Sequence, residues 1–387
     1  FLVGSVLAGL AWNMASLIGF RVVQGLGAGA VAPMAMTIVG DIYTVAERAI
    51  VQGYIASVWA IASVVGPALG GIFSQFTSWR WIFLVNIPLC LLAGWALLRF
   101  YHERVESKRH RIDYLGAGLL TLGLTAVILA LLEGGNAWSW TSWQSLGSFV
   151  LGIAALVAFV TVERRAPEPV LDLRIVGRPL IATATLIALG VGALLIGVTS
   201  FVPTYLENSL GVVPLVSGMA VAALTLGWPL AASLAGRLYL RFGYRTTVLL
   251  GSSIAAAGTV ALALTGPAPN PWTVGAVCLV IGFGLGWTAA PSLIAVQASV
   301  DWDERGVVTG VNVFARSAGS AIGVALYGAI ATNVIAAGKG EHDYATIVTA
   351  STWVFVAVAV TAVGMLVAAL GLPRGGVHAA AYSPPSA

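Results

Sequence analysis

The chain of 387 residues is 59% hydrophobic, and only 9% of its residues are charged. A soluble globular domain carries about 25% charged residues, so this composition excludes a protein whose whole surface faces water. The formal net charge of +4 does not indicate a nucleic-acid partner, because the basic residues are confined to alternate loops. The apolar runs suit membrane-spanning helices and show no strand-length alternation, which predicts an all-α integral membrane protein.

Twelve apolar segments follow one another along the chain, and we interpret each as a membrane span. They are residues 1–12, 15–39, 50–75, 80–99, 114–133, 146–162, 179–203, 215–236, 246–265, 273–297, 306–336 and 346–371. The tail 374–387 is rich in Gly, Ala, Pro and Ser, and we predict that it is disordered.

The distribution of Lys and Arg predicts how these spans are oriented. The loops between spans form two sets, one on each side of the membrane. One set holds only Arg80 and Lys339, and two further arginines, Arg21 and Arg316, fall inside spans. The second set holds all other basic residues: Arg48, Arg99, Arg104, Lys108, Arg109, Arg111, Arg164, Arg165, Arg174, Arg178, Arg237, Arg241, Arg245, Arg305 and Arg374. By the positive-inside rule these loops are cytoplasmic, which predicts a multi-pass protein of the plasma membrane, the bacterial inner membrane.

Arg21, inside the second apolar segment, is the first candidate for a functional side chain. Its surroundings read Gly-Phe-Arg-Val-Val-Gln-Gly-Leu-Gly-Ala-Gly, with Gln24 on the same helix face. An intramembrane arginine costs at least ~2.5–3.5 kcal/mol, so Arg21 should face a cavity or a counter-charge. Gly25, Gly27 and Gly29 permit close helix packing. The alternative is that Arg21 snorkels to the outer interface.

A second polar stripe is predicted in the eleventh segment. Asn312, Arg316 and Ser320 are four residues apart and therefore share one face of a helix. Gly319 and Gly323 add a face of small residues. The alternative is a helix that starts near the inner surface, with Arg316 snorkelling inward.

The third segment contains a stretch that reads Ala-Ser-Val-Val-Gly-Pro-Ala-Leu-Gly-Gly, residues 62–71. Pro67 bends a helix, and Gly66, Gly70 and Gly71 allow another helix to approach closely. A generic packing face of small residues is the alternative to a mechanistic role.

A cytoplasmic turn with a gating role is predicted after the eighth segment, at Gly236, Arg237, Arg241, Gly243 and Arg245. Its arginines suit pairing with helix C-termini or with acids of neighbouring helices, which would lock one conformation. A simple topology signal explains the same charges.

The acidic residues avoid the middle of the predicted spans. Glu207 flanks the outer end of one span and is a candidate acid of an outer vestibule. Neither metal-ligand spacing nor disulfide spacing is present in the sequence. We therefore expect no metal and no cofactor.

Together these motifs resemble the major facilitator superfamily and, more narrowly, its 14-helix branch of drug:proton antiporters. Residues 19–29 resemble the Arg-x-x-Gln-Gly motif of that family's fourth helix, and residues 62–71 resemble the antiporter motif of the fifth. Residues 79–88 are similar to the start of the sixth helix, and residues 310–324 to the penultimate helix. Leu240 stands where the family's second cytoplasmic loop carries an aspartate.

The resemblance implies two six-helix bundles with two inserted helices between them. Because the antiporter-like motif lies in the third segment rather than the fifth, it also implies that the first two helices are missing from this chain. Residues 1–100 would be the rest of the N-terminal bundle, 101–178 the inserted pair with its loops, and 179–373 the C-terminal bundle.

The function that the resemblance implies is proton-coupled efflux of amphipathic drugs or other small molecules by alternating access, without enzymatic activity. The expected partners are a small-molecule substrate and the lipid bilayer, and the protein is expected to be monomeric. The family's first helix commonly carries an acid used in proton coupling, and we predict that Arg21 pairs with or tunes it. The alternatives are a facilitator or symporter of a specific metabolite on the same fold, and a membrane-embedded enzyme or sensor.

Overall fold

The computed structural model describes most of the chain, in segments separated by gaps. Described are residues 1–43, 77–101, 113–134, 137–166, 169–265, 270–301, 304–338 and 343–373, and single positions between 47 and 76. The chain divides into two units, Phe1–Arg48 with Ser57–His110, and Ala49–Ala56 with Arg111–Ala387. Helices account for the regular structure of the described residues, apart from one isolated bridge between Gly134 and Trp138.

The first unit is built from helices that pack on one short helix near its start. Its elements among the described residues are α1 (Leu2–Gly9), α2 (Met14–Ile42), α3 (Trp81–Leu84) and α4 (Asn86–Phe100). Asn13 begins α2 in a capping box with Ser16, accepting a hydrogen bond of 2.8 Å from the Ser16 N–H. Arg80 Nη2 donates a hydrogen bond of 2.9 Å to the carbonyl of Ala11. The segment before α3 is thereby bound to the segment that follows α1.

The second unit contains nine helices among the described residues. They are α5 (Tyr114–Glu133), α6 (Trp143–Glu163), α7 (Leu173–Val176), α8 (Pro179–Leu210), α9 (Pro214–Phe242), α10 (Tyr244–Ala263), α11 (Pro271–Ala298), α12 (Arg305–Ala337) and α13 (Tyr344–Leu370). Side chains cap several of their N-termini by accepting backbone N–H groups: Asp113, Ser142, Asp172, Asn270 and Asp343. Proline starts α8, α9 and α11, where its missing N–H leaves no bond unmade.

Small residues let the backbones of this unit touch. In α8 a Cβ at Gly192 would fall on the carbonyl of Arg316, and in α12 a Cβ at Gly319 would fall on the carbonyl of Leu189. Helices α9 and α11 approach each other in the same way, because a Cβ at Gly282 would fall on the carbonyl of Leu224. Since lipid gives no hydrophobic drive for helix association, such close approach is what holds membrane helices together.

Helices α5 and α6 form a hairpin that belongs to the second unit. They pack on each other, and α5 also contacts α12. At the far end of the hairpin, Trp140 Nε1 donates a hydrogen bond of 3.3 Å to Asn333 Oδ1 of α12. The hairpin is thereby attached to the long helix that carries the second polar stripe.

Ten helical stretches in the described part are long and apolar enough to cross a membrane. They coincide with ten of the twelve predicted segments, which confirms an all-α, multi-pass chain. The first predicted segment is the eight-residue helix α1, and the third, 50–75, is only partly described. The tail 374–387 lies outside the described residues, and the division at residues 100 and 178 stays a prediction.

Candidate functional site

A cavity of about 330 Å³ lies beside Arg21 within the first unit. Its wall combines side chains from α2, α3 and α4. The lining residues are Phe1, Arg21, Gln24, Gly25, Ala28, Ile82, Phe83 and Asn86. The structure thus places three of the candidate residues, Arg21, Gln24 and Gly25, at one cavity.

A short chain of hydrogen bonds fixes the arginine at this wall. Arg21 Nη1 donates to Gln24 Oε1 over 2.8 Å, and Gln24 Nε2 donates to Ser5 Oγ of α1 over 2.7 Å. Gln24 is only 5% exposed, whereas the guanidinium reaches the cavity and lies 5.7 Å from the ring centroid of Phe83. Among the described residues no carboxylate pairs with Arg21, so its charge is available to the cavity.

The close helix contact predicted at the glycines of α2 is distributed differently in the structure. A Cβ at Gly27 would collide with the backbone of Phe1, but a Cβ at Gly25 or Gly29 would meet no atom within 4 Å. A second close approach uses Gly4 of α1, where a Cβ would fall on the backbone of Gln24. The sequence analysis missed Gly4 and Ser5, because the partner of a small residue is not encoded locally.

The predicted stripe of α12 faces its neighbour α8 over part of its length. Ser320 Oγ donates a hydrogen bond of 3.0 Å to the carbonyl of Gly192, so this end of the stripe packs against α8. Arg316 is half-buried in the middle. Asn312 is 8% exposed, and its Nδ2 finds no acceptor among the described groups. Asn312 is therefore the member of the stripe whose buried amide donor is unused.

The predicted cytoplasmic turn at 236–245 is corrected by the structure. Helix α9 continues through Gly236, Arg237 and Arg241 to Phe242, and the break is a single residue, Gly243, with φ +83°. A left-handed backbone favours glycine, so one glycine suffices to end α9 and start α10. The arginines before the break thus lie on a helix rather than in a loop.

The last arginine of this stretch does bind the end of a neighbouring helix. Arg245 Nη2 donates a hydrogen bond of 3.1 Å to the carbonyl of Leu370 in the last turn of α13. A cation at a helix C-terminus satisfies a free carbonyl and opposes the negative end of the helix dipole. Of the two kinds of partner predicted for these arginines, the structure shows a helix C-terminus for Arg245.

The candidate vestibule acid Glu207 holds a turn between two helices. Its Oε1 accepts a hydrogen bond of 2.5 Å from Ser217 Oγ at the start of α9. Between them Gly211 ends α8 with φ +63°. The half-buried Glu207 carboxylate therefore connects the end of α8 to the beginning of α9.

The antiporter-like motif falls largely outside the described residues. Gly66 is described, is exposed, and would place a Cβ with no atom within 4 Å. Pro67, Gly70 and Gly71 lie outside the described part, so their roles stay predictions.

One ion pair escaped the sequence analysis, because its residues are 126 positions apart. Arg178 donates to both carboxylate oxygens of Glu304, over 2.8 and 3.0 Å. The hydrogen bond to Glu304 raises the pKa of the Arg178 guanidinium. This bidentate pair joins the residue before α8 to the residue before α12. The distribution of basic residues predicts that these two helix ends face the cytoplasm.

Comparison with known proteins agrees with this architecture. The family model described as Major Facilitator Superfamily matches residues 1–324. The chain is 31% identical to the multidrug transporter protein MdtP of Bacillus subtilis over 330 residues, which are 85% of this chain and 61% of that protein. It is 30% identical to multidrug resistance protein 3 of the same organism, over 86% of this chain and 65% of that protein.

A fungal protein is similar to the same degree. The MFS-type efflux pump LUC4 of a Fusarium species is 32% identical over 336 residues, 84% of this chain and 59% of the pump. The chain thus spans less than two thirds of the length of these relatives. The family match over residues 1–324 and the apolar helices show that the chain is a multi-pass membrane protein that belongs to the major facilitator superfamily.

Proposed function

We propose that the chain forms most of a secondary active transporter that exports amphipathic drugs or other small molecules in exchange for protons. The observation that carries this proposal is the fixed charge of Arg21, held by Gln24 at the wall of a cavity. The relatives are named for multidrug transport, multidrug resistance and efflux, which supports export of small molecules. The membrane would be the bacterial inner membrane, and the transporter would act as a monomer.

The wall of the cavity suits an amphipathic solute. Ile82 and Phe83 offer apolar surface, and Arg21, Gln24 and Asn86 offer polar groups. Its volume of about 330 Å³ falls at the small end of the range for ligand pockets, which is roughly 300–1,000 Å³. In alternating access, bundles of helices rock about such a central site and open it to one side at a time.

The charge of Arg21 would couple the cycle to protons through a carboxylate that the described residues do not include. A guanidinium near a carboxylate favours its ionised form and so promotes proton release. When the helices rearrange and separate the two groups, the carboxylate would bind a proton again. The serine and glutamine that hold Arg21 fix where this interaction takes place.

A facilitator or symporter of a specific metabolite is the competing function on the same fold. The Gly-Pro motif of residues 62–71 favours an exporter, because importers of this fold usually lack it. The two functions differ in the direction of net solute movement in an energised cell: an exporter lowers the internal concentration, a symporter raises it, and a facilitator only equilibrates it.

The test follows ethidium efflux from bacterial cells that lack their own multidrug pumps and produce the transporter of which the chain forms most. We expect preloaded cells to expel ethidium against its concentration gradient, and a protonophore to abolish this efflux. The Arg21→Gln variant, produced at the same level in the membrane, serves as the matched inactive control. Ethidium that only equilibrates across the membrane, with no effect of the protonophore, would contradict an exporter and favour a facilitator.

A further inference from the structure

Two carboxylates meet at one end of the α5–α6 hairpin. Asp113 caps α5, and its Oδ1 accepts a hydrogen bond of 2.8 Å from the N–H of Gly116. Glu163, the last residue of α6, is only 4% exposed, and its Oε1 accepts a hydrogen bond from the N–H of Leu171. The second oxygen of each group, Asp113 Oδ2 and Glu163 Oε2, is buried and has no hydrogen-bond partner in the described part. Each carboxylate is therefore anchored through one oxygen and bare at the other.

The two bare oxygens border the same small space. A Cβ on Gly116 would collide with Asp113 Oδ2 and would lie 2.8 Å from Glu163 Oε2. Since glycine carries only a hydrogen at this position, no side chain of residue 116 separates them. The geometry thus brings two buried acceptors together without a donor.

Among the described residues, a further charge that acts on Glu163 is also negative. Asp172, the N-cap of α7, adds an electrostatic repulsion on Glu163 to that of Asp113. Among the described residues, no third His, Cys, Asp or Glu completes a group that could hold a metal ion around the two oxygens. Two ionised carboxylates would repel each other here, and burial keeps water from the bare oxygen of each.

We propose that Asp113 and Glu163 bind one proton between them, in an O–H···O hydrogen bond that joins the two bare oxygens. The single proton removes one negative charge and supplies the donor that both acceptors lack. In strongly coupled carboxyl pairs the proton belongs to the pair rather than to either residue.

This proton-binding site shares no residue with the cavity beside Arg21 and goes beyond the proposed transport function. The basic loops place it at the cytoplasmic end of the hairpin, where Glu163 also holds the segment leading into α7 through Leu171. Loss of the proton would restore the repulsion and weaken this end of the hairpin. The pair therefore makes the hairpin sensitive to cytoplasmic pH.

Infrared spectroscopy of the purified chain tests the proposal without any transport assay. At neutral pH we expect a carbonyl stretching band of a protonated carboxyl group, which shifts in heavy water. The band should disappear in both Asp113→Asn and Glu163→Gln. Either amide can donate to the remaining carboxylate, so the variants keep the contact but lose the proton.

Asp343→Asn is the matched control. Asp343 also caps a helix, but its Oδ2 accepts hydrogen bonds from the N–H and the hydroxyl of Thr346, over 3.0 and 2.7 Å. Its substitution should leave the band unchanged. As a second readout, the thermal unfolding midpoint of the unmodified chain should fall as the pH rises, and this dependence should be weaker in Glu163→Gln.

Two results would overturn the proposal. The first is an unmodified chain without a carboxyl band at neutral pH, and the second is a band that both amide substitutions leave in place. When the band is absent, an unfolding midpoint that rises on addition of sodium or calcium would indicate a cation between the carboxylates. The first result decides even if a variant fails to fold.

Discussion

Arg21 donates a hydrogen bond of 2.8 Å from its Nη1 atom to Oε1 of Gln24, one turn later on α2. Gln24 is in turn bound to Ser5 of α1. The arginine is therefore held by a neutral partner, which orients the guanidinium without neutralising it. The charge of Arg21 lies at the wall of a cavity, and the chain belongs to a family of transporters. The proposed proton coupling depends on this charge.

The first prediction concerns the charge of Arg21. A hydrogen bond to a charged group contributes about 1.5–3 kcal/mol, and each 1.36 kcal/mol corresponds to about tenfold in rate. Arg21→Gln should therefore lower the initial rate of proton-driven efflux by at least about tenfold, with an unchanged amount of protein in the membrane. Arg99→Gln removes the same charge from an exposed position at the end of α4 and should transport normally. Normal efflux by Arg21→Gln would refute the coupling role.

The second prediction concerns the bond between Gln24 and Ser5. Hydrogen bonds between membrane helices contribute about 0.6 kcal/mol on average and up to about 1.7 kcal/mol. In a double-mutant cycle of Gln24→Leu and Ser5→Ala, measured by unfolding in detergent, we expect a coupling free energy in this range. Additive effects of the two substitutions would show that the bond does not stabilise the α1–α2 contact.

The third prediction separates two glycines of the same helix. Gly319→Ala would push a methyl group into the carbonyl of Leu189, whereas a Cβ at Gly310 meets no atom within 4 Å. Overpacking costs about 1–3 kcal/mol, and alanine in an open helix position is favoured over glycine by about 0.5–1 kcal/mol. Gly319→Ala should therefore lower the unfolding midpoint and Gly310→Ala should not. Equal effects of the two would contradict the contact between α8 and α12.

The fourth prediction concerns the ion pair between Arg178 and Glu304. Arg178→Glu and Glu304→Arg each place like charges opposite one another, so each should lower the thermal unfolding midpoint. The double variant restores opposite charges and should recover part of the loss, less so at high salt because the pair is exposed to solvent. Recovery that fails at low salt would show that the pair does not stabilise this end of the two helices.

The fifth prediction tests the motif of the third segment. Gly70→Leu should abolish efflux while insertion into the membrane stays normal, because the motif is predicted to need a close helix contact. Gly94→Leu provides the control, since a Cβ at Gly94 of α4 meets no atom within 4 Å. Unchanged efflux by Gly70→Leu, measured at equal protein levels, would show that this position has no part in transport.

The sequence predicted the spans well, because continuous apolar length is a local property. The segment predicted at 114–133 and helix α5 have the same bounds. The stretch at 236–245 was misread as a turn, because its arginines and glycines are typical of loops, yet one left-handed glycine at 243 is enough to join two helices. Beyond the hydrocarbon, polar residues no longer distinguish a helix end from a loop.

The contacts of the site could be predicted only in part. Arg21 and Gln24 share a helix face, so their proximity follows from spacing alone. Their link to Ser5, the bond between Arg178 and Glu304, and the meeting of Asp113 with Glu163 all join different helices. Such pairs depend on how helices pack, and a single sequence contains no periodic signal for that.

The most direct test of the central claim is proton movement during transport by the reconstituted transporter of which the chain forms most. Proteoliposomes loaded with the pH indicator pyranine are given an ethidium gradient and no initial pH gradient. The account predicts that ethidium flux drives protons in the opposite direction, and that Arg21→Gln abolishes both fluxes. Ethidium flux without proton movement, or with protons moving in the same direction, would contradict proton-coupled export.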